Sequence, residues 1–174
     1  MLKYLFLLVL STQALAIDCE IHKVFCKIKE LRPNMGDKEA MDLSNLIYKE
    51  SKDQGGDPLL AVAIAMQETS LKDKSRTQMV IKFGPDDSWR VEEGVTDVCM
   101  FQFHVRTIIY YKMDPVKLRD DAEYCVHWHF KLMNIKKKAC RDLGDEAWTC
   151  YHSRTKVLRK HYKKLVERHL RLIL

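Results

Sequence analysis

The sequence predicts a mainly α fold (α+β) with one small β-hairpin. Three observations carry this reading. Apolar residues recur at three- and four-residue spacing over most of the chain. The spacing drops to two over one stretch only, from Met79 to Val91. Asp followed by Pro, a strong helix-start signal, occurs at Asp57-Pro58 and Asp114-Pro115. The Asp side chain accepts bonds from first-turn amides, and Pro has no N–H to leave unpaired there.

The chain begins MLKYLFLLVLSTQALA. Lys3, an apolar run from Tyr4 to Leu10 and the small-x-small end Ala14-Leu15-Ala16 read as a secretory signal peptide, residues 1–16. The run is too short to span a bilayer. Residues 17–174 then form one domain, with no stable membrane insertion expected after cleavage. A short helix is expected near Cys19 to Leu31, broken by Pro33. Asp37 caps the next, with Met41, Leu43, Leu46 and Ile47 on one face and Gly55-Gly56 as its stop. A third starts at Pro58. Leu59 to Met66 are eight apolar residues in a row, so this helix is buried nearly all round.

Met79, Ile81 and Phe83, then Trp89 and Val91, alternate as two strands around Gly84-Pro85-Asp86-Asp87. That is the hairpin. A helix is expected from about Asp97 through Phe103 and Ile108 to Tyr111. A longer one runs from about Asp121 to Cys140, with Ala122, Cys125, Val126, His129, Leu132 and Met133 inward. Gly144 breaks it, and AWTCY forms a short helix. The last runs from about Thr155, with Val157, Leu158, His161, Leu165, Val166 and Leu170 on one face.

The formal net charge is +6. The excess sits late, in Lys136-Lys137-Lys138 and from Arg154 to Lys164. Such a patch suits a polyanion. Export argues against nucleic acid and leaves an acidic wall polymer or lipid, although solvated helix faces account for most of these lysines. Six cysteines in an exported chain suggest up to three disulfides, and spacing does not choose among the possible pairings. There is no CxxC pair and no HExxH, and His127 and His129 diverge on a helix. No metal and no cofactor are expected.

One carboxylate breaks the apolar pattern. In AIAMQETS, Glu68 lies about three turns into the buried helix. A desolvated carboxyl holds its proton to higher pH, which suits a general acid. The alternative is a wet helix end with Glu68 simply exposed.

Three stretches in order carry a resemblance. AVAIAMQETSLK resembles the first motif of the soluble lytic transglycosylases, an apolar helix ending in Glu, Ser and an apolar residue. VCMFQF resembles the second, Gly-Leu-Met-Gln-Ile, with Gln102 matching the Gln. AWTCYHS resembles the third, Ala-Tyr-Asn-Ala-Gly, with Tyr151 matching the Tyr. The closing basic helix with Tyr162 is also similar to the family's last helix. The resemblance spans about Asp57 to Leu170. It points to the lysozyme-like superfamily, in its transglycosylase or goose-type lysozyme branch.

The resemblance implies an enzyme acting as a monomer on the glycan strands of peptidoglycan. It makes Glu68 the catalytic acid, with Thr69, Gln102, Phe103, Tyr151 and His152 toward substrate. Tyr151 would bond the Glu68 carboxyl or the sugar. Each has a plainer alternative: a satisfied core tyrosine, a backbone-tying Gln102, a helix-capping Thr69, a partly exposed His152. Cys99 and Arg154 stand where the family has Gly, His152 where it has Asn, and Thr69 where it has Ser.

With Glu68 as sole acid, the reaction implied is non-hydrolytic and leaves a 1,6-anhydro end. Asp73, Asp86, Asp87, Glu92 and Glu93 fall in a turn or on a polar edge. Asp97 is the possible second acid, although a helix N-cap explains it equally well. With Asp97 acting, the enzyme would be a hydrolase; a wall-binding or inhibitory module on the same fold is the third reading. The family's fold would bring Cys99 and Cys150 to one cleft wall, with Cys140–Cys150 as a competing pair, among three disulfides in all.

Overall fold

A computed structural model describes residues 19–71, 81–83, 89–91 and 97–171. The signal peptide, the hairpin turn, Met79 and the acids Asp73, Asp86, Asp87, Glu92 and Glu93 lie outside the described residues. The fold is mainly helical with small antiparallel β elements, in agreement with the class read from the sequence.

Helix α1 spans residues 19–31. Helix α2 (Asp37–Gln54) ends at Gly55, whose φ of 71° is the left-handed turn that glycine tolerates best. The expected Asp37 cap is not formed. Gly36 holds the cap position without a side-chain bond, and Asp37 instead pairs with Lys29 Nζ at 2.8 Å. Gly56 follows, and a Cβ there would lie 2.5 Å from the Phe130 ring. Only glycine lets the link to the next helix cross so closely.

Helix α3 (Pro58–Thr69) starts as its sequence demands. Asp57 Oδ1 accepts from the amides of Leu59 at 2.9 Å and Leu60 at 3.1 Å. Ala61 to Ala65 are fully buried. The hairpin is β1 (Ile81–Phe83) against β2 (Trp89–Val91), with Ile81 opposite Val91.

The next segment departs from expectation. No helix starts at Asp97. Asp97–Val98 is strand β3, paired antiparallel with β4 (Phe103–His104). The reversal between them carries φ of 61° at Cys99 and 50° at Gln102, which no helix accommodates. Helix α4 (Val105–Tyr110) begins only after it, capped by His104 Nδ1 on the Arg106 amide at 3.1 Å.

Helix α5 (Pro115–Asp120) is capped by Asp114, and α6 (Ala122–Ala139) by Asp121. Cys125, Val126, His129, Leu132 and Met133 of α6 are buried as expected. AWTCY lies in a 3₁₀ segment, Arg141–Tyr151, kinked at Gly144. Helix α7 (Lys156–Arg171) closes the described chain, and only the later part of its expected stripe, Leu165, Val166 and Leu170, turns inward. Tyr162 and Val166 are buried, whereas Val157 is 74% and Leu158 49% exposed and His161 is exposed too. The first turn of α7 projects beyond the core, so its apolar residues have nothing to cover.

Helix α6 packs against α2, α5 and the 3₁₀ segment, and α3 packs against α2 and α7. One core joins them, from Ile28 and Ile47 through Val62 and Ile64 to Phe101, Val126 and Val166. There are two disulfides, Cys99–Cys125 and Cys140–Cys150, and not three. The competing pair across Gly144 forms, and Cys99 takes Cys125 on α6 instead of Cys150. Cys19 and Cys26 are free and exposed. They are two helical turns apart on α1, about 10 Å along its axis, beyond the reach of a disulfide. The two bonds formed fit folding in an oxidising compartment. No helix of the described residues is long and apolar enough to cross a membrane.

Candidate active site

A cavity of about 430 Å³ opens at the end of α3. Glu68, Asp97, Gln102, Phe103, Tyr151 and His152 all line it, joined by His104, Lys136 and others. Six of the seven site residues read from the sequence therefore meet at one place, although they come from four different elements and the turn. Thr69 is the exception and does not line it.

Glu68 is half-buried. Desolvation is the main influence on its carboxyl and raises its pKa; the Asp97 charge raises it further. A hydrogen bond opposes both: Tyr162 Oη donates to Glu68 Oε1 at 2.7 Å. Tyr162 is itself held protonated, its pKa pushed up by burial and then by the Glu68 charge. It is therefore a permanent donor. His152 stacks on the Tyr162 ring, with centroids 4.3 Å apart and planes within 5°, and Trp148 packs on it at 6.3 Å. Desolvation and then His161 lower the His152 pKa, so the ring favours the neutral form.

The opposite wall uses its polar groups differently. Tyr151 does not bond Glu68. Its hydroxyl donates to the Phe101 carbonyl at 3.1 Å, and burial raises its pKa well above the usual value. Gln102 Nε2 donates to the Cys99 carbonyl at 2.9 Å and closes its own turn. Thr69 Oγ1 lies 3.2 Å from the Ala65 carbonyl and 2.9 Å from that of Met100, tying the end of α3 to the turn. For these three residues the plainer structural roles hold in this structure. Behind them His129, 1% exposed, stacks on Phe101 at 3.8 Å. Desolvation, and then the Lys137 charge, pushes its pKa down to about 3. It is a neutral aromatic spacer at any ordinary pH.

Sequence reasoning missed the role of Tyr162, which appeared only as a feature of the closing helix. The signal was present: Tyr162 lies four residues before Val166 and eight before Leu170, in line with two members of the stripe already read. His104, Lys136, Thr107 and Leu132 as lining residues were also missed, since no local pattern marks them.

The arrangement is a half-buried carboxyl whose pKa is raised by desolvation, a fixed hydroxyl donor on one oxygen, a second carboxylate in the same cavity and aromatic sides. It can protonate a leaving oxygen and stabilise the carboxylate that results. Comparison with protein-family models, with curated proteins and with solved structures finds no match for this chain.

Proposed function

We propose that this protein is an exported glycosidase that cleaves the β-1,4 bond between N-acetylmuramic acid and N-acetylglucosamine in peptidoglycan. Glu68 is its general acid and base, in a lysozyme-like site. The observation that carries the reading is Glu68 itself: desolvated, its pKa raised, bonded by Tyr162 and open to a cavity at the end of a buried helix. Support also comes from Cys99, which has the left-handed φ of 61° at the very position where the resembled family has glycine.

In the first version no water is used. Glu68 protonates the leaving oxygen, and its carboxylate then takes a proton from the sugar's C6 hydroxyl. That oxygen closes on C1 and leaves a 1,6-anhydro end. One acid suffices. A second version is favoured by one observation: Asp97 lines the same cavity and its charge reaches Glu68. Two carboxylates across a bond are what hydrolysis needs.

The test is clearing of purified cell walls by the mature protein. Glu68→Gln keeps shape and the Tyr162 contact but removes the titrating proton. Activity is expected to fall about a hundredfold or more with folding intact; a near-normal rate sinks the proposal. The mass of the fragments separates the versions. Anhydro ends with Asp97→Asn nearly as active fit the first. Reducing ends, one water heavier, with Asp97→Asn inactive fit the second.

A further inference from the structure

The cavity holds two carboxylates and one lysine. Lys136 lines it from α6, one helical turn after Leu132, which lines it as well. Its ammonium forms no hydrogen bond or ion pair with any described residue, and the residue is only half-exposed. Some other lysines of α6 and α7 are engaged. Lys163 pairs with Glu146 at 2.7 Å and Glu167 at 3.5 Å, and Lys131 lies over the Trp128 ring at 4.2 Å. The last turn of α6 carries Lys136, Lys137 and Lys138, and the helix dipole favours cations there. That accounts for three positive charges. It does not account for one of them reaching into a cavity.

Nor does Lys136 serve the acid. The influences on the Glu68 proton are desolvation, the Tyr162 bond and the Asp97 charge, and Lys136 is not among them. The cation lines the same cavity and bonds to neither carboxylate. A glycan carrying carboxylates is repelled by Asp97 and by Glu68 once ionised. A neutral glycan is not. An ammonium in that cavity, bonded to neither acid, offsets that repulsion for an acidic ligand and gives nothing to a neutral one.

We propose that Lys136 is a specificity-determining residue that receives a carboxylate borne by the glycan, so that the cleft takes acidic aminosugar strands in preference to neutral ones. This rests on the glycan-cleaving reading of the site. The carboxylate has two possible sources: the lactyl group on strands stripped of peptide, or the stem peptide on intact strands.

The experiment compares wild type, Lys136→Gln and Lys136→Arg on four substrates. These are peptide-stripped strands, the same strands with their carboxyls amidated, intact peptidoglycan and a neutral N-acetylglucosamine oligomer. Lys136→Gln is expected to lose about tenfold in kcat/KM on the acidic substrates, through KM, because a charged hydrogen bond is lost. Neutral and amidated substrates should be unaffected, and Lys136→Arg should restore most of the loss. A loss on stripped strands assigns the lactyl carboxylate; a loss on intact strands only assigns the stem peptide. An equal effect on charged and neutral substrates, or none, overturns the proposal. Binding of the same strands is also measured in a Glu68→Gln background. Lys136-dependent binding together with a wild-type protein that cleaves none of the strands would overturn the enzyme reading and keep this one. Binding that Lys136→Gln leaves unchanged overturns this one alone.

Discussion

The two walls of the cleft are built on opposite plans. The α3 wall, backed by α7, links its polar groups to one another: Tyr162 bonds Glu68 from behind the cavity lining, and His152 lies flat on Tyr162. The wall made by the β3–β4 turn, α6 and the 3₁₀ segment leaves Asp97 and Lys136 to the cavity but ties its other polar groups down internally. Tyr151 bonds Phe101, Gln102 bonds Cys99, and the Cys99–Cys125 disulfide fastens the turn to α6. One wall carries reactive groups. The other, apart from Asp97 and Lys136, is a fixed shape. The lesson is that lining a cavity does not make a residue reactive; what its polar atoms are already bonded to decides.

The largest effect should come from breaking the fixed wall. Cys99 and Cys125 are 26 residues apart, and Cys140 and Cys150 are 10 apart. In the chain-entropy account, losing the first bond costs about 3.5 kcal/mol and losing the second about 2.7 kcal/mol. The Cys99→Ser/Cys125→Ser pair also frees a turn with two left-handed residues, so its cost should exceed that of Cys140→Ser/Cys150→Ser by more than this difference. Denaturant unfolding of both double variants measures it. Equal losses would mean that the turn holds its shape without the staple.

Tyr162→Phe tests the reactive wall. The Tyr162 bond favours the Glu68 carboxylate, so removing it raises the Glu68 pKa. The protonated acid then survives to higher pH. Wall-clearing activity should drop about tenfold at its optimum, as a charge-assisted hydrogen bond is lost, and the alkaline fall in rate should move upward in pH. A fall that moves downward would contradict the assigned donor.

Stability against pH sharpens the contrast, because the walls titrate in opposite senses. His129 has a folded pKa near 3 against about 6.5 unfolded. Only the unfolded chain binds the proton in that window. Its neutral packing is thus fully present above about 6.5 and is lost as pH falls, at up to about 1.4 kcal/mol per pH unit. Glu68 has a raised folded pKa. Its contribution is present below the usual carboxylate value and is lost as pH rises through the folded one. His129→Phe should flatten the acid side of the melting-temperature profile. Glu68→Gln should remove the opposing loss that sets in above the usual carboxylate value, so that stability rises more steeply with pH from there.

How much of this could be read in the chain follows from the range of each interaction. Helix starts at Asp57 and Asp114 are local chemistry, and they formed as read. The strand pair Ile81–Val91 also followed from spacing. Glu68 stood out because a lone carboxylate interrupts an apolar run. Asp97 misled because a short polar residue suits a cap and a strand end equally, and its strand partner His104 lies beyond a turn whose left-handed residues are not glycines. Tyr162 is 94 residues from Glu68, and nothing in either neighbourhood announces the pairing. Cys125 as the partner of Cys99 is likewise a property of how α6 packs, not of spacing.

The smallest effect belongs to Tyr151→Phe, and it is the sharpest test of the comparison. The resemblance gives this tyrosine a part beside the acid or the sugar. In the structure its hydroxyl is taken by the Phe101 carbonyl, and its ring packs edge-on to His129 at 5.2 Å. Phenylalanine keeps the ring and leaves one buried carbonyl without its donor. That costs about 1 kcal/mol of stability. The Glu68–Tyr162 bond is untouched, so the rate and its pH profile should stay within a factor of two or three of wild type. The two tyrosines line up as a matched pair of deletions, each removing one oxygen within the same site. If Tyr151→Phe shifts the alkaline limb as Tyr162→Phe does, both walls share in the chemistry, and the division drawn between them fails. If only stability moves, Tyr151 shapes the cleft and Tyr162 tunes the acid.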